Sequence, residues 1–116
     1  MKNKMIKIDP WNYTVEEIIL NTDDLDEIYA TMNCSLIEIV NLGGGIDLIL
    51  DENGLLTNEQ RFFKLGSVYA GIALVSASKD GEVIDCPKTV EDILEHLEWM
   101  PKDHTEEPFF KFIPLS

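Results

Sequence analysis

A chain of 116 residues, 45% hydrophobic and 27% charged, has the size and composition of one soluble globular domain with a single core. Its 22 acidic residues against 9 basic ones give a formal net charge of −13, which repels phosphate backbones and anionic lipid surfaces. Direct nucleic-acid and membrane binding are therefore not expected, and a basic partner or a cation is favoured. Two cysteines, with no apolar run of signal-peptide or membrane-spanning length, predict reduced thiols and a cytoplasmic protein.

Lys4 to Ile8 alternates basic and apolar residues and predicts a first strand, stopped by Asp9-Pro10. Trp11 to Tyr13 connects it to Thr14–Leu20, a β-branched and apolar run that reads as a second strand antiparallel to the first, with a helix as the alternative. Asn21 or Thr22 is expected to cap a helix whose first turns carry Asp23, Asp24, Asp26 and Glu27, where the helix dipole favours negative charge. Leu25, Ile28, Tyr29 and Met32 give that helix one apolar stripe, ending near Asn33.

Leu36–Leu42 and Ile46–Leu50 predict a hairpin about Gly43-Gly44-Gly45. In its second strand Ile46, Leu48 and Leu50 face one way, and Asp47, Ile49 and Asp51 the other, wetter way. Asp51-Glu52-Asn53-Gly54 reads as a turn, Leu55-Leu56 as a strand restart, and Thr57–Lys64 as irregular or one helical turn. Tyr69–Ser78 predicts one long buried strand, turned by Lys79-Asp80-Gly81 into Glu82–Cys86. Thr89 is expected to cap a helix from Val90 to Met100, with Val90, Ile93, Leu94 and Leu97 facing inward and Glu91, Glu95 and Glu98 facing solvent. The expected architecture is a single α+β domain over residues 1–100, a mainly antiparallel sheet of five or six strands with two helices. Residues 101–116 form a C-terminal extension in which Phe109–Ile113 is apolar enough to dock as an extra strand.

No motif for catalysis or metal binding stands out. The three glycines lack the following helix and the nearby base that a phosphate loop needs. Cys34, Cys86, His96 and His104 show no zinc-site spacing, and the twelfth position of a calcium loop begun at Asp51 is Phe62 rather than Glu. No cofactor is implied, and a non-enzymatic role is expected.

The distribution of charge is the functional signal. From Asp9 to Gln60 there are twelve carboxylates and no Lys, Arg or His, whereas a solubility surface intersperses the two signs. Carboxylates at alternate strand positions lie roughly 7 Å apart and neighbouring strands add roughly 5 Å spacings, comparable to phosphate spacings on a nucleic-acid strand. Asp23, Asp24, Asp26, Glu27, Asp47, Asp51 and Glu52 are the candidate partner-binding residues, with Glu91, Asp92, Glu95 and Glu98 as a second face.

The order of elements, an Ile/Lys strand ending in Asp9-Pro10, the acidic helix after Asn21-Thr22, Leu36-Ile37-Glu38-Ile39-Val40, Asp51-Glu52-Asn53-Gly54-Leu55-Leu56, Asn58 to Arg61, Tyr69-Ala70-Gly71 and Asp80-Gly81, resembles a small-protein family. It is the family known as a domain of unknown function numbered 3846, and the resemblance covers roughly residues 4–98. It implies a phage, plasmid or other mobile-element setting in Gram-positive bacteria and carries no catalytic residues across. Joined to the acid stretch, it leads to the expectation of an inhibitor of the anti-CRISPR or anti-restriction type, occupying the basic nucleic-acid-binding groove of a host defence enzyme. The alternative is an accessory or assembly protein of the mobile element, binding through apolar residues such as Trp99, Phe109, Phe110 and Phe112.

Overall fold

The computed structural model describes residues 2–52 and 61–101. The expected turn through Asn53-Gly54, the restart at Leu55-Leu56, the start of the 57–64 segment and the extension from residue 102, with His104 and Phe109–Ile113, lie outside them. The elements are β1 (Lys2–Asp9), β2 (Thr14–Asn21), α1 (Leu25–Met32), β3 (Ile37–Gly43), β4 (Ile46–Asp51), β5 (Phe62–Leu65), β6 (Ser67–Ala70), β7 (Ala73–Lys79), β8 (Glu82–Ile84), α2 (Val90–His96) and β9 (Leu97–Trp99). The main sheet has six strands, in the order β2-β1-β7-β4-β3 with β8 added to β7, and every pairing is antiparallel. This is the expected α+β domain with two helices. A second sheet, β6-β5-β9, is an addition that the sequence pattern did not indicate.

Three local expectations are corrected. The segment around Phe62–Lys64 is a strand rather than an irregular stretch, because Phe62 and Phe63 are buried and their backbones pair with β6 and β9. The long strand expected over Tyr69–Ser78 is two strands in different sheets, broken at Gly71, whose φ of +83° suits a residue without a Cβ. The helix begun at Val90 ends at His96 instead of running to Met100. Leu97 turns extended, at φ −93° and ψ 137°, so that Leu97–Trp99 pairs with β5 and Trp99 meets Tyr13 edge-on at 5.7 Å.

A smaller correction concerns the first helix, which is capped by Asp24 and not by Asn21 or Thr22. Its carboxylate accepts the Glu27 N–H at 3.3 Å. Asn21 and Thr22 still shape the approach: the Asp24 N–H donates to the Asn21 carbonyl at 3.0 Å, and the Thr22 hydroxyl donates to the Asn3 side-chain oxygen at 2.9 Å. Asn33 ends the helix in the left-handed region, as its small amide side chain permits.

The main sheet is covered on both faces. On one, Ile6, Ile8, Leu48, Leu50, Ala73, Val75 and Ala77 pack against Phe63 of the second sheet and Ile93 of α2. On the other, Met5, Leu20, Ile49 and Leu74 pack under Ile28 and Met32 of α1. Each fully buried branched side chain contributes about 1.5–3 kcal/mol, so these two layers hold the domain together. The wetter face expected for β4 is wet at Asp47 and Asp51 but dry between them, where α1 covers Ile49.

Leu74 is fully buried at the centre of one layer, whereas Ile39 on the edge strand is 63% exposed. Leu74→Ala is expected to cost about 2–5 kcal/mol and Ile39→Ala less than about 0.5 kcal/mol, read as midpoint shifts in urea unfolding.

Candidate partner-binding surface

Strand alternation decides which acids share a side. Asp47 and Asp51 flank Ile49 on β4, and Ile49 belongs to the layer under α1, so both carboxylates stand on the α1 side. Glu16 stands there too, since it shares the parity of Ile18 and Leu20 and faces Lys7 in register. The helix adds Asp23, Asp24, Asp26 and Glu27 to the same side. Six of the seven acids singled out first are thereby brought to one side, around an element roughly 12 Å long. Glu52 follows at the end of β4, where its N–H donates to the Leu36 carbonyl at 3.1 Å.

Several of these carboxylates also hold the fold. Besides the Asp24 cap, Glu27 accepts the Asn21 N–H at 3.3 Å. Asp47 accepts from the Asn41 amide at 3.2 Å and the Ser78 hydroxyl at 3.0 Å, which ties three strands together. Asp26 is exposed on the first turn of α1, and Leu25 beside it is half exposed.

The bases are distributed differently. Among the lysines of the described strands, Lys7 is the one whose position turns it to the α1 side. Lys4 turns to the other side and pairs with Glu17 at 3.2 Å. Lys79 faces Glu82 and Lys64 faces Glu98 in register on the two sheets. Arg61 lies with its guanidinium 4.8 Å over the Trp11 ring.

The second candidate face does not hold together as predicted. Glu91 and Glu95 are exposed on α2, but Glu98 belongs to β9 opposite Lys64, because the helix stops at His96. Asp92 is engaged in a capping box, accepting the Thr89 N–H at 2.9 Å while its own N–H donates to the Thr89 hydroxyl at 3.1 Å. Those Thr89 contacts, the backbone one first, hold the Asp92 carboxyl below the usual aspartate range.

Beside α2, on the side away from α1, runs a groove of about 860 Å³ that the sequence pattern did not reveal. Val40 and Leu42 of β3, Ile46, Tyr69, Val75 and Ile93 give it apolar walls, and Lys88, Asp92 and His96 line it along the helix. Its parts are far apart in sequence, and no local periodicity brings them together. The two thiols are both raised in pKa, first by desolvation: Cys34 further by the Asp51 charge, and Cys86 against the pull of nearby lysines. No group of three or more His, Cys, Asp or Glu among the described residues could hold a metal ion, and no described helix is long and apolar enough to cross a membrane.

An antiparallel sheet covered on both faces, with acids gathered on the α1 side beside the single strand lysine Lys7, defines a small α+β protein with a predominantly acidic face. The chain belongs to the family described as "Domain of unknown function (DUF3846)", whose model matches residues 1–98. No curated protein and no solved structure matches it.

The depressed Asp92 titration sets a sign. A carboxylate whose folded pKa is lowered contributes stability above its ordinary value, and that contribution is lost as pH falls through the lowered one. In an NMR titration the Asp92 carboxyl is expected to have its midpoint below the ordinary aspartate value. Thr89→Ala removes the side-chain contact but keeps the backbone one, and should move it part of the way back up and loosen the first turn of α2.

Proposed function

We propose that this protein is an inhibitor that presents its α1 side to the basic, nucleic-acid-binding surface of another protein, of the anti-CRISPR or anti-restriction kind carried by phages and plasmids. The observation that carries this reading is the division of charge across the main sheet. Acids with the single strand lysine Lys7 stand on one side, and acids matched by Lys4 and Lys79 stand on the other. A surface acidic merely for solubility has no reason to sort its signs by side. Sorted charge steers a protein toward an oppositely charged groove and makes the complex sensitive to salt.

Fixed carboxylates suit this role. Asp24, Glu27 and Asp47 are held by hydrogen bonds to the backbone or to neighbouring strands, so they lose little side-chain freedom on meeting a partner. Exposed Leu25 and Ile39 lie among them and supply apolar contact that charge alone lacks.

The test is capture of binding proteins from a Gram-positive bacterial lysate on immobilised protein. A nucleic-acid enzyme that is retained at low salt, and released both by moderate salt and by added DNA or RNA, is the expected result. Retention that survives salt and nucleic acid would overturn the reading. Replacing Glu16, Asp23 and Asp26 together by Lys is expected to weaken that complex by roughly tenfold or more. The same change at Glu91, Glu95 and Glu98 should leave it within about threefold.

A further inference from the structure

The two edges of the main sheet differ. β2 carries Glu16 and Glu17 along its middle, and charges on an edge discourage strand addition. Among the described residues β3 pairs with β4 alone; it has Glu38 as its single charged residue, contains no proline, and exposes Ile39 and Leu42. Its ladder runs regularly from Ile37 to Asn41 before the irregularity at Gly43. Such an edge is a template for a further strand. The surroundings decide which strand: on the α1 side Ile39 lies between the strand positions of Asp47 and Asp51, and on the other side Val40 and Leu42 form the rim of the 860 Å³ groove.

We propose that the outer edge of β3 is a β-augmentation site for an extended segment of a different protein, one in which Lys or Arg alternates with branched apolar residues. Main-chain hydrogen bonds to residues 37–41 hold the segment. Its apolar side chains turn to the groove beside Val40 and Leu42. Its basic side chains turn to the α1 side, where their aliphatic stems cover Ile39 and their heads approach Asp47 and Asp51. A second copy of this chain does not fit the site, because it brings the same acids face to face on a molecule of net charge −13. The inference rests on the acidic-face reading and gives it a docking geometry.

The probe is an end-capped heptapeptide alternating Val and Lys, compared with two analogues of equal charge, one N-methylated on its Val residues and the other on its Lys residues. In an extended strand alternate N–H groups point to the same edge, so one analogue loses its bonds to β3 and the other keeps them. One analogue is expected to bind at least tenfold more weakly than the parent and the other within threefold, with the amides of residues 37–41 protected from hydrogen exchange by the parent peptide. Ile39→Lys is expected to weaken parent binding at least fivefold, while Glu95→Gln, the same change in charge away from the edge, leaves it within twofold.

Equal binding of all three peptides, released by salt, would overturn the edge site and leave the acidic face standing. No binding of any peptide at low salt would overturn both. Sedimentation showing a dimer at micromolar concentration that Ile39→Lys dissociates would assign the edge to self-association and overturn the proposal.

Discussion

The pairing of β4 with β7 is the constraint from which the rest of the molecule follows. β7 is buried on both faces, joins β1, β4 and β8, and uses Ala73, Ser76 and Ala77 to let two layers approach closely. Its register sets Leu48 against Val75 in one layer and Ile49 against Leu74 in the other. A slip of one residue would exchange the two faces of β4 and drive Asp47 and Asp51 into the layer containing Phe63 and Ile93. Burying two carboxylates there without partners costs far more than any alternative contact returns. The chemistry of the core therefore determines on which side the acids stand.

The strands of the main sheet were legible because each carries its own pattern. β1 alternates, β3 turns into β4 through three glycines of positive φ, and Lys79-Asp80-Gly81 turns β7 into β8. The second sheet was not legible, since its strands have three or four residues, too few for a period to show, and its third strand is recruited by a pairing distant in sequence, Phe63 with Trp99. The end of α2 fails for the same reason. Leu94 and Leu97 continue a helical stripe, yet pairing with β5 and the Tyr13–Trp99 contact hold Leu97 extended while Leu94 stays half exposed. Tertiary contacts override local preference where the segment is short.

The candidate surface was partly legible. A stretch of chain without bases named the acids, but the sequence placed them in one dimension and the sheet sorts them in three. β1 inserts Lys4 and Lys7 beside Glu17 and Glu16, so a segregation that looked complete along the chain is cancelled on one side and kept on the other. Glu16 enters the surface through strand parity, a signal present in the alternation of Glu16, Ile18 and Leu20. Asp92 and Glu98 leave the second candidate face, the first into a helix cap and the second across from Lys64.

Rigidity and charge are linked in this design. A carboxylate that caps a helix or bridges strands is fixed by the same hydrogen bonds that stabilise the fold, as with Asp24, Glu27 and Asp47. Such groups present charge at constant spacing, which a flexible acidic tail does not. The edge of β3 adds what a purely electrostatic face lacks, a direction, because backbone pairing defines both the axis of an incoming strand and the side to which each of its residues turns. Charge would bring a partner to this face, and the edge would set its orientation there.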